Sequence, residues 1–202
     1  MEQSLRYLSV CSGIEAATVA WHGLGWQPVA FSEVDAFPSA VLAHHYPGVP
    51  NWGDMTKFQE WPDAAIDLLV GGTPCQSFSV AGLRKGLADP RGNLALTFLA
   101  LVDRYRPRWV VWENVPGVFS ADSHDGPDPC PPPPPVGVGC DGATVETEDD
   151  YDSDESHAFS CLLAGFSELG YFGAYGTLDA QYAGLAQRRQ RVFAVFHSGE
   201  WQ

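Results

Sequence analysis

Residues 7–33, YLSVCSGIEAATVAWHGLGWQPVAFSE, hold two runs of strand character on either side of a run of helical character. Residues 7–11 and 28–33 predict strands, and residues 15–24 predict a helix. Elements in the order strand, helix, strand form the unit that places two parallel strands in one sheet. This stretch therefore predicts an α/β fold.

The same alternation continues along the chain. Helical patterns cover residues 37–46, 93–105 and 158–169, and strand patterns cover residues 66–70, 109–112, 171–178 and 192–196. Residues 51–57 are ambiguous, with a short edge strand as one interpretation. Strands that alternate with helices are typical of a doubly wound, mostly parallel sheet. We therefore expect a Rossmann-like α/β fold.

Length and composition indicate one domain over residues 1–202, because 202 residues with 45% hydrophobic content can bury a sizeable core. No apolar run reaches the roughly 18 residues of a membrane span, and the N-terminus lacks the regions of a signal peptide. Five widely spaced cysteines without a C-x-x-C pair predict free thiols and no metal site. We expect a cytoplasmic protein with no membrane partner.

The formal net charge of -14 is concentrated in one segment. Residues 121–157 hold eleven of the 25 acidic residues and no Lys or Arg, so the other 14 acidic residues stand against 11 basic ones. A proline run and self-repelling acids predict a disordered surface insertion there, with an acidic interaction segment as the alternative. Outside the insertion, the charge balance is compatible with binding to nucleic acid.

The stretch GGTPCQSFS, residues 71–79, places Cys75 directly after the strand pattern of residues 66–70. A lone cysteine usually packs as a small apolar side chain. Here two glycines and a proline indicate a loop, and open α/β sheets bind ligands at the carboxyl ends of their strands. We therefore interpret Cys75 as a candidate nucleophile.

The loop between the first strand and the first helix, residues 11–15, is a candidate cofactor site. Gly13 allows a ligand to approach the backbone at the start of a helix. Glu33 ends the second strand pattern 20 residues later, where an acid accepts hydrogen bonds from ribose hydroxyls in Rossmann-like sites. Asp54 is a weaker candidate, and the full G-x-G-x-x-G pattern is absent.

Glu113 follows the strand pattern of residues 109–112, so it is either a solvent-facing strand end or a functional acid. A carboxyl group in an apolar site has a raised pKa and can donate a proton or hydrogen bond to a base nitrogen. The strands that precede Cys75 and Glu113 are expected to be neighbours. We therefore predict that a nucleophile and an acid lie over one crevice.

Four motifs together resemble those of the bacterial and phage cytosine-5 DNA methyltransferase family. Pro74-Cys75-Gln76 resembles its nucleophile motif, and Glu113-Asn114-Val115 resembles its Glu-Asn-Val motif. Residues 187–191, QRRQR, resemble its Q-x-R-x-R motif, and residues 89–94, DPRGNL, match the element after the catalytic loop. The motifs occur in the family's order, and the resemblance covers most of residues 6–197.

This resemblance implies an enzyme that transfers a methyl group from S-adenosylmethionine to C5 of cytosine in DNA. Cys75 would add to C6 of a base flipped out of the duplex, forming a covalent intermediate. Glu113 would protonate or hydrogen-bond the base at N3. Arg191 would contact O2, and Arg189 would support phosphate and loop positioning. Members that act on tRNA share these motifs, so the type of nucleic acid stays open.

By the same resemblance, two further sets of residues bind ligands, and no metal takes part. Residues that match the family's S-adenosylmethionine site are Ser12, Gly13, Ile14, Glu33, Val34, Asp54, Pro74 and Leu94. Residues that match its contacts to double-stranded DNA are Gln76, Ser77, Ser79, Arg91 and Arg189. The family implies the cytoplasm of a bacterial or phage-infected cell.

The sequence departs from the family pattern in two places. Glu15 stands where members usually carry a second glycine, which puts the geometry of the cofactor loop in question. The sequence stops at Gln202, before the usual target-recognition domain, so we expect a fragment, half of a split enzyme or a decayed copy. A second chain would then supply target recognition. The alternative function is a non-catalytic module that binds S-adenosylmethionine or a partner chain.

Overall fold

The computed structural model describes residues 4–73, 94–120 and 157–199. Within these ranges the strands are β1 (Arg6–Val10), β2 (Gln27–Ser32), β3 (Leu68–Gly71), β4 (Trp109–Asn114), β5 (Phe172–Asp179) and β6 (Gln190–His197). They form one sheet in the order β2-β1-β3-β4-β6-β5. The pairs β1–β2, β1–β3 and β3–β4 are parallel, whereas β6 runs antiparallel to both β4 and β5.

The α-helices in the described ranges are α1 (Ala16–Trp21), α2 (Ala36–His45), α3 (Leu94–Tyr105) and α4 (His157–Glu168). Short 3-10 helices cover His22–Leu24, Met55–Glu60, Pro116–Ser120 and Ala180–Ala183. The sequence of α3, LALTFLALVDRY, is rich in leucine and alanine, which are strong helix formers, and eight of its residues are buried. No helix in the described part of the chain has the length and apolar content to cross a membrane.

Helices cover both faces of the sheet because successive strand residues point to opposite sides. Leu8 and Val10 of β1 belong to the apolar core that also contains the buried residues of α3 and α4. Tyr7 points the other way, and its ring packs edge-on against Trp21 of α1 at 5.2 Å between ring centroids. Phe31 of β2 packs against Tyr46, which follows α2. This is the doubly wound arrangement.

The largest part of the core lies between the sheet and the helices α3 and α4. The Phe166 ring of α4 stacks on Phe196 of β6 with 3.9 Å between centroids, and it meets Phe98 of α3 edge-on at 6.4 Å. All three rings are almost completely buried. Burying one such side chain contributes about 1.5–3 kcal/mol to folding, so this cluster fixes both helices on the sheet.

The carboxyl ends of β1 and β3 lie side by side, with Val10 opposite Gly71. A Cβ on Gly71 would lie 2.5 Å from Cγ2 of Val10 and 2.7 Å from its carbonyl oxygen, so only glycine permits this approach. Strand β2 pairs with one edge of β1, and β3 pairs with the other edge, so the connections after β1 and before β3 run to opposite sides of β1. Such a switch point opens the crevice in which doubly wound sheets bind ligands.

The structure confirms the predicted Rossmann-like, mostly parallel α/β fold. Two local predictions need correction. Residues 51–57 form no edge strand: Asn51 makes one isolated bridge to Phe31, and a 3-10 helix begins at Met55. Strand β4 extends to Asn114, so Glu113 lies within the strand and does not follow it. Residues 121–156 of the predicted insertion lie outside the described residues, whereas His157 begins α4.

Candidate active site

The loop after β1 is held against the end of β2 by its backbone. The Ser12 amide donates to the Ser32 carbonyl oxygen at 3.1 Å, and the Ser12 hydroxyl donates to the Ser9 carbonyl oxygen at 2.9 Å. The Gly13 amide donates to Oε2 of Glu33 at 2.8 Å. These contacts fix the shape of the loop and direct its glycine amide at the acid that follows the second strand.

The carboxylate of Glu33 is fixed by three backbone amides. Besides Gly13 on Oε2, the amides of Val34 and Asp35 both donate to Oε1 at 2.8 Å. A carboxylate has about four acceptor positions, so at least one remains for another donor. The apolar side chains beside this carboxylate are open to solvent, with Ile14 61% and Val34 69% exposed. Acid and apolar surface together suit a nucleoside.

The other two described cofactor candidates, Asp54 and Leu94, have structural contacts. Oδ1 of Asp54 accepts from the amide and the hydroxyl of Thr56 at 2.9 and 2.8 Å, so it caps the 3-10 helix that follows. Leu94 starts α3 and packs against the core. Neither contact joins these residues directly to the loop at Gly13.

On the other side of the crevice, the structure brings Glu113 and Arg191 together. Nε of Arg191 lies 2.9 Å from Oε1 of Glu113, and their side chains are 23% and 33% exposed. The sheet explains the pair: Glu113 of β4 stands opposite Phe193 of β6, and Arg191 is two residues further on the same face. The carboxyl group predicted to sit in an apolar site is instead paired with a cation.

Two side chains at the end of β4 bind Thr73, which lies two residues before Cys75 in the sequence. The Thr73 hydroxyl accepts from the indole Nε1 of Trp112 at 3.0 Å, and the Thr73 carbonyl oxygen accepts from the side-chain amide of Asn114 at 3.0 Å. All three residues are buried. The motif residue Asn114 therefore fixes the backbone two residues before Cys75.

The remaining predicted site residues divide into two groups. Arg189 is exposed, and its backbone amide donates to Asp179 at 3.1 Å, which anchors the chain just before β6. Six predicted site residues lie outside the described ranges: Pro74, Cys75, Gln76, Ser77, Ser79 and Arg91. Their roles remain predictions from the sequence.

Sequence reasoning did not single out Thr73 or the structural role of Trp112. A threonine between a glycine and a proline carries no distinctive signal, and a tryptophan within an apolar run predicts only burial. In residues 4–73, 94–120 and 157–199, no three His, Cys, Asp or Glu side chains are grouped closely enough to hold a metal ion.

Comparison with known proteins identifies the family to which this chain belongs. The family model for C-5 cytosine-specific DNA methylases matches residues 5–126 and 151–200. The match spans most of the sequence, so the chain belongs to this family. The predicted family resemblance is therefore confirmed.

Three sequence relatives come from phages and a bacterium. A protein of Escherichia phage P1 named a DNA N-6-adenine-methyltransferase is 44% identical over 219 residues, covering 96% of this chain and 28% of that protein. The orphan methyltransferase M.SPRI of Bacillus phage SPR is 31% identical, covering 95% of this chain and 37% of that protein. The type II methyltransferase M2.BsuMI of Bacillus subtilis is 31% identical, with 95% and 41% covered. The chain spans less than half the length of each.

Solved structures share the fold. The Dnmt2 methyltransferase of S. pombe superposes with a TM-score of 0.63 at 16% identity, over 98% of this chain and 51% of that chain. A DNA modification methyltransferase encoded within an E. coli prophage superposes with a TM-score of 0.60 at 20% identity, over 96% and 47%. At these identities the likeness concerns the fold alone.

Proposed function

We propose that this chain forms the catalytic part of an S-adenosylmethionine-dependent DNA methyltransferase that acts on C5 of cytosine. The observation that carries the proposal is the Glu113–Arg191 pair, which lies beside the backbone of Gly72 and Thr73. The described chain leads from there toward Cys75. A cysteine can add to C6 of a pyrimidine, and an acid and an arginine can compensate the charge that develops on the ring.

In the proposed reaction Cys75 acts as the nucleophile on a flipped-out cytosine. Its thiolate forms a bond to C6, and the electron pair of the C5–C6 double bond moves onto the ring. The bound cofactor supplies the methyl group to C5. S-adenosylhomocysteine is left after the transfer. Loss of the C5 proton to a water molecule then restores the C5–C6 double bond and breaks the C6–S bond, which returns the thiolate.

Glu113 and Arg191 stabilise the ring during this addition. Once O2 of the base binds the guanidinium of Arg191, the released carboxylate of Glu113 takes up a proton from solvent and donates it, or a hydrogen bond, to N3, so negative charge does not accumulate on the base. In the structure the two groups pair with each other, so both charges are compensated until a base enters.

The residues at the end of β1 and β2 fit the methyl donor. Glu33 retains acceptor capacity for a ribose hydroxyl, and Ile14 and Val34 present apolar surface for an adenine ring. Ser12 and Gly13 place their backbone at the start of α1. Asp54, Pro74 and Leu94 would complete the site. No metal has a part in this proposal.

The phage P1 relative supports a second candidate, methylation of adenine at N6. The name of that protein states an N-6-adenine activity, and this chain covers 28% of it. Attack by an exocyclic amine needs no enzyme thiol, so Cys75 would then have no chemical role. The four motifs favour the cytosine reaction, and we propose double-stranded DNA as the substrate of either reaction.

The test is a methyl-transfer assay followed by nucleoside analysis. In the first arm, the chain is incubated with tritiated S-adenosylmethionine and DNA. In the second arm, the target-recognition region of a relative is added as a separate polypeptide. Label in 5-methyldeoxycytidine supports the proposal, whereas label in N6-methyldeoxyadenosine supports the second candidate. Cofactor binding without transfer in both arms would identify a non-catalytic binding module.

A further inference from the structure

The buried position and the backbone conformation of Glu15 are energetically unfavourable, and the proposed catalytic and cofactor-binding residues do not include it. It is 1% exposed, and its φ of 71° lies in the left-handed region. A non-glycine residue in a sparsely populated backbone region costs about 1–3 kcal/mol and persists only where its surroundings hold it. Burial of a carboxyl group adds a further cost unless it is hydrogen-bonded.

The side chain of Glu15 ties α1 to β1 inside the protein. Its Oε1 accepts from the Thr18 amide at 3.0 Å and from the Thr18 hydroxyl at 3.1 Å. The same hydroxyl meets the phenolic oxygen of Tyr7 at 2.5 Å. Oε2 of Glu15 is buried without a hydrogen-bond partner among the described residues. The contacts with Thr18 make Glu15 the N-cap of α1.

This anchor also sets the shape of the candidate cofactor loop. The Glu15 amide donates to the Ser12 carbonyl oxygen at 2.9 Å, which closes a turn over residues 12–15. Ser12 and Gly13, at the start of the turn, contact Ser32 and Glu33 of the neighbouring strand end. A continuous set of contacts therefore runs from the buried carboxyl group to the acid proposed to bind ribose.

We propose that Glu15 is a positioning residue for S-adenosylmethionine: its buried carboxyl group caps α1 and thereby holds Ser12 and Gly13 in the geometry that binds the cofactor. The inference rests on the proposed function. Glu15 does not contact the cofactor and acts through the backbone of the loop. Its side chain stabilises from inside a conformation that glycine would merely permit.

Substitutions of Glu15 can separate the effect of its charge from the effect of its shape, because the groups that face it are neutral. Ser9 and Tyr7 of β1 and Thr18 of α1 surround it, and burial raises the pKa of Tyr7 to about 12, so Tyr7 stays neutral at ordinary pH. Glutamine retains the oxygen that accepts from Thr18 but carries no charge. Alanine removes the cap, and glycine removes both the cap and the backbone strain.

The experiment compares Glu15→Gln, Glu15→Ala and Glu15→Gly in the full chain, with Glu60→Gln as an exposed control. Hydrogen exchange of the Gly13 and Thr18 amides reports the loop, and calorimetric titration with S-adenosylmethionine reports binding. We expect Glu15→Ala and Glu15→Gly to raise the Kd about tenfold, equal to about 1.4 kcal/mol, and to speed exchange at both amides. Glu15→Gln should stay within about twofold of the unaltered chain, because the cap is retained.

Each other outcome counts against the inference in a distinct way. Faster exchange in Glu15→Ala with unchanged cofactor affinity would show that the loop geometry does not control binding. Tight binding by Glu15→Gly alone would show that the backbone conformation suffices without the carboxyl group. Absence of binding by the unaltered chain would overturn the proposed function and this inference with it, whereas equal binding by all variants overturns only the inference.

Discussion

A Cβ on Gly72 would lie 2.6 Å from Oε2 of Glu113. The carboxylate of Glu113 therefore lies directly against the backbone that follows β3, in space that any other residue would fill. The other oxygen of this carboxylate binds Arg191 at 2.9 Å. Gly71 therefore allows β1 and β3 to pack closely, whereas Gly72 leaves space for the carboxylate of Glu113.

We predict that alanine at Gly71 lowers the stability of the fold, whereas alanine at Gly72 lowers the rate of methyl transfer. In Gly71→Ala the new methyl group meets Val10 side-chain and backbone atoms at 2.5 and 2.7 Å, which should destabilise the fold by about 1–3 kcal/mol. In Gly72→Ala it meets Oε2 at the end of the Glu113 side chain at 2.6 Å and the Glu113 carbonyl oxygen at 3.3 Å, and the side chain can turn away, so stability should change by less than about 1 kcal/mol. Displacement of the carboxylate should lower methyl transfer about tenfold or more.

Chemical denaturation and initial transfer rates measure both effects, and each glycine variant serves as the control for the other. If Gly72→Ala transfers methyl groups at the original rate while folding normally, the carboxylate has no positional role. If Gly71→Ala is as stable as the unaltered chain, β1 and β3 can separate more easily than their packing suggests.

Replacement of Glu113 by glutamine should separate catalysis from folding. The ion pair with Arg191 is partly exposed, so its loss should cost less than about 1 kcal/mol of unfolding free energy. A positioned acid contributes about 10²–10⁴-fold to rate, so covalent trapping of DNA with 5-fluorocytosine should slow at least 100-fold. Asp63→Asn, which removes the exposed partner of Arg104 at 3.2 Å, is the matched control and should trap normally. Normal trapping by Glu113→Gln would exclude the assigned role.

Covalent trapping also tests Cys75. The fluorine blocks the proton loss that releases the enzyme, so an adduct should accumulate with the unaltered chain and be absent in Cys75→Ser. Cys11→Ser is the control: burial raises the pKa of Cys11 to about 11, so its thiol is protonated near neutral pH and is a poor nucleophile. An adduct that persists in Cys75→Ser would assign the nucleophile to another group.

The sequence predicts the sheet well because its strands are short apolar runs that end in loops with glycine. It does not predict that β4 continues through Glu113 and Asn114, because polar residues in a central strand look like a strand end until their partners are known. Those partners, Arg191 on β6 and Thr73 after β3, are distant in sequence. The family motifs indicate which residues matter, while their pairing depends on the antiparallel register of β4 and β6.

Glu15 shows a similar limit of sequence reasoning. The sequence indicates that it replaces a glycine, and local patterning gives no sign that it is buried or that it caps α1. The buried contacts with Thr18, and the contact of Thr18 with Tyr7, depend on how α1 packs on β1. Tertiary packing therefore decides whether the substitution disturbs the loop or supports it.

The buried carboxyl group of Glu15 should make stability depend on pH in a defined direction. Burial raises its pKa above the ordinary value of 4.5, although the neighbouring polar groups of Ser9 and Thr18 oppose the shift. The folded state then binds the proton more tightly than the unfolded state, so the unfolding free energy falls as pH rises above about 4.5. The stability held at low pH is lost by the time the pH has passed through the folded pKa.

Glu15→Gln should remove this dependence, because glutamine keeps the shape and cannot ionise. We expect the unaltered chain and Glu15→Gln to unfold at similar denaturant concentrations near pH 4, and Glu15→Gln to be the more stable of the two at pH 8. The measurement is the difference in unfolding free energy between the two proteins from pH 4 to pH 8, in which contributions of other titrating groups cancel. A difference that is constant with pH would mean that folding does not shift the pKa of Glu15, and a difference that favours the unaltered chain as pH rises would mean that the carboxylate is better stabilised in the folded state than in water.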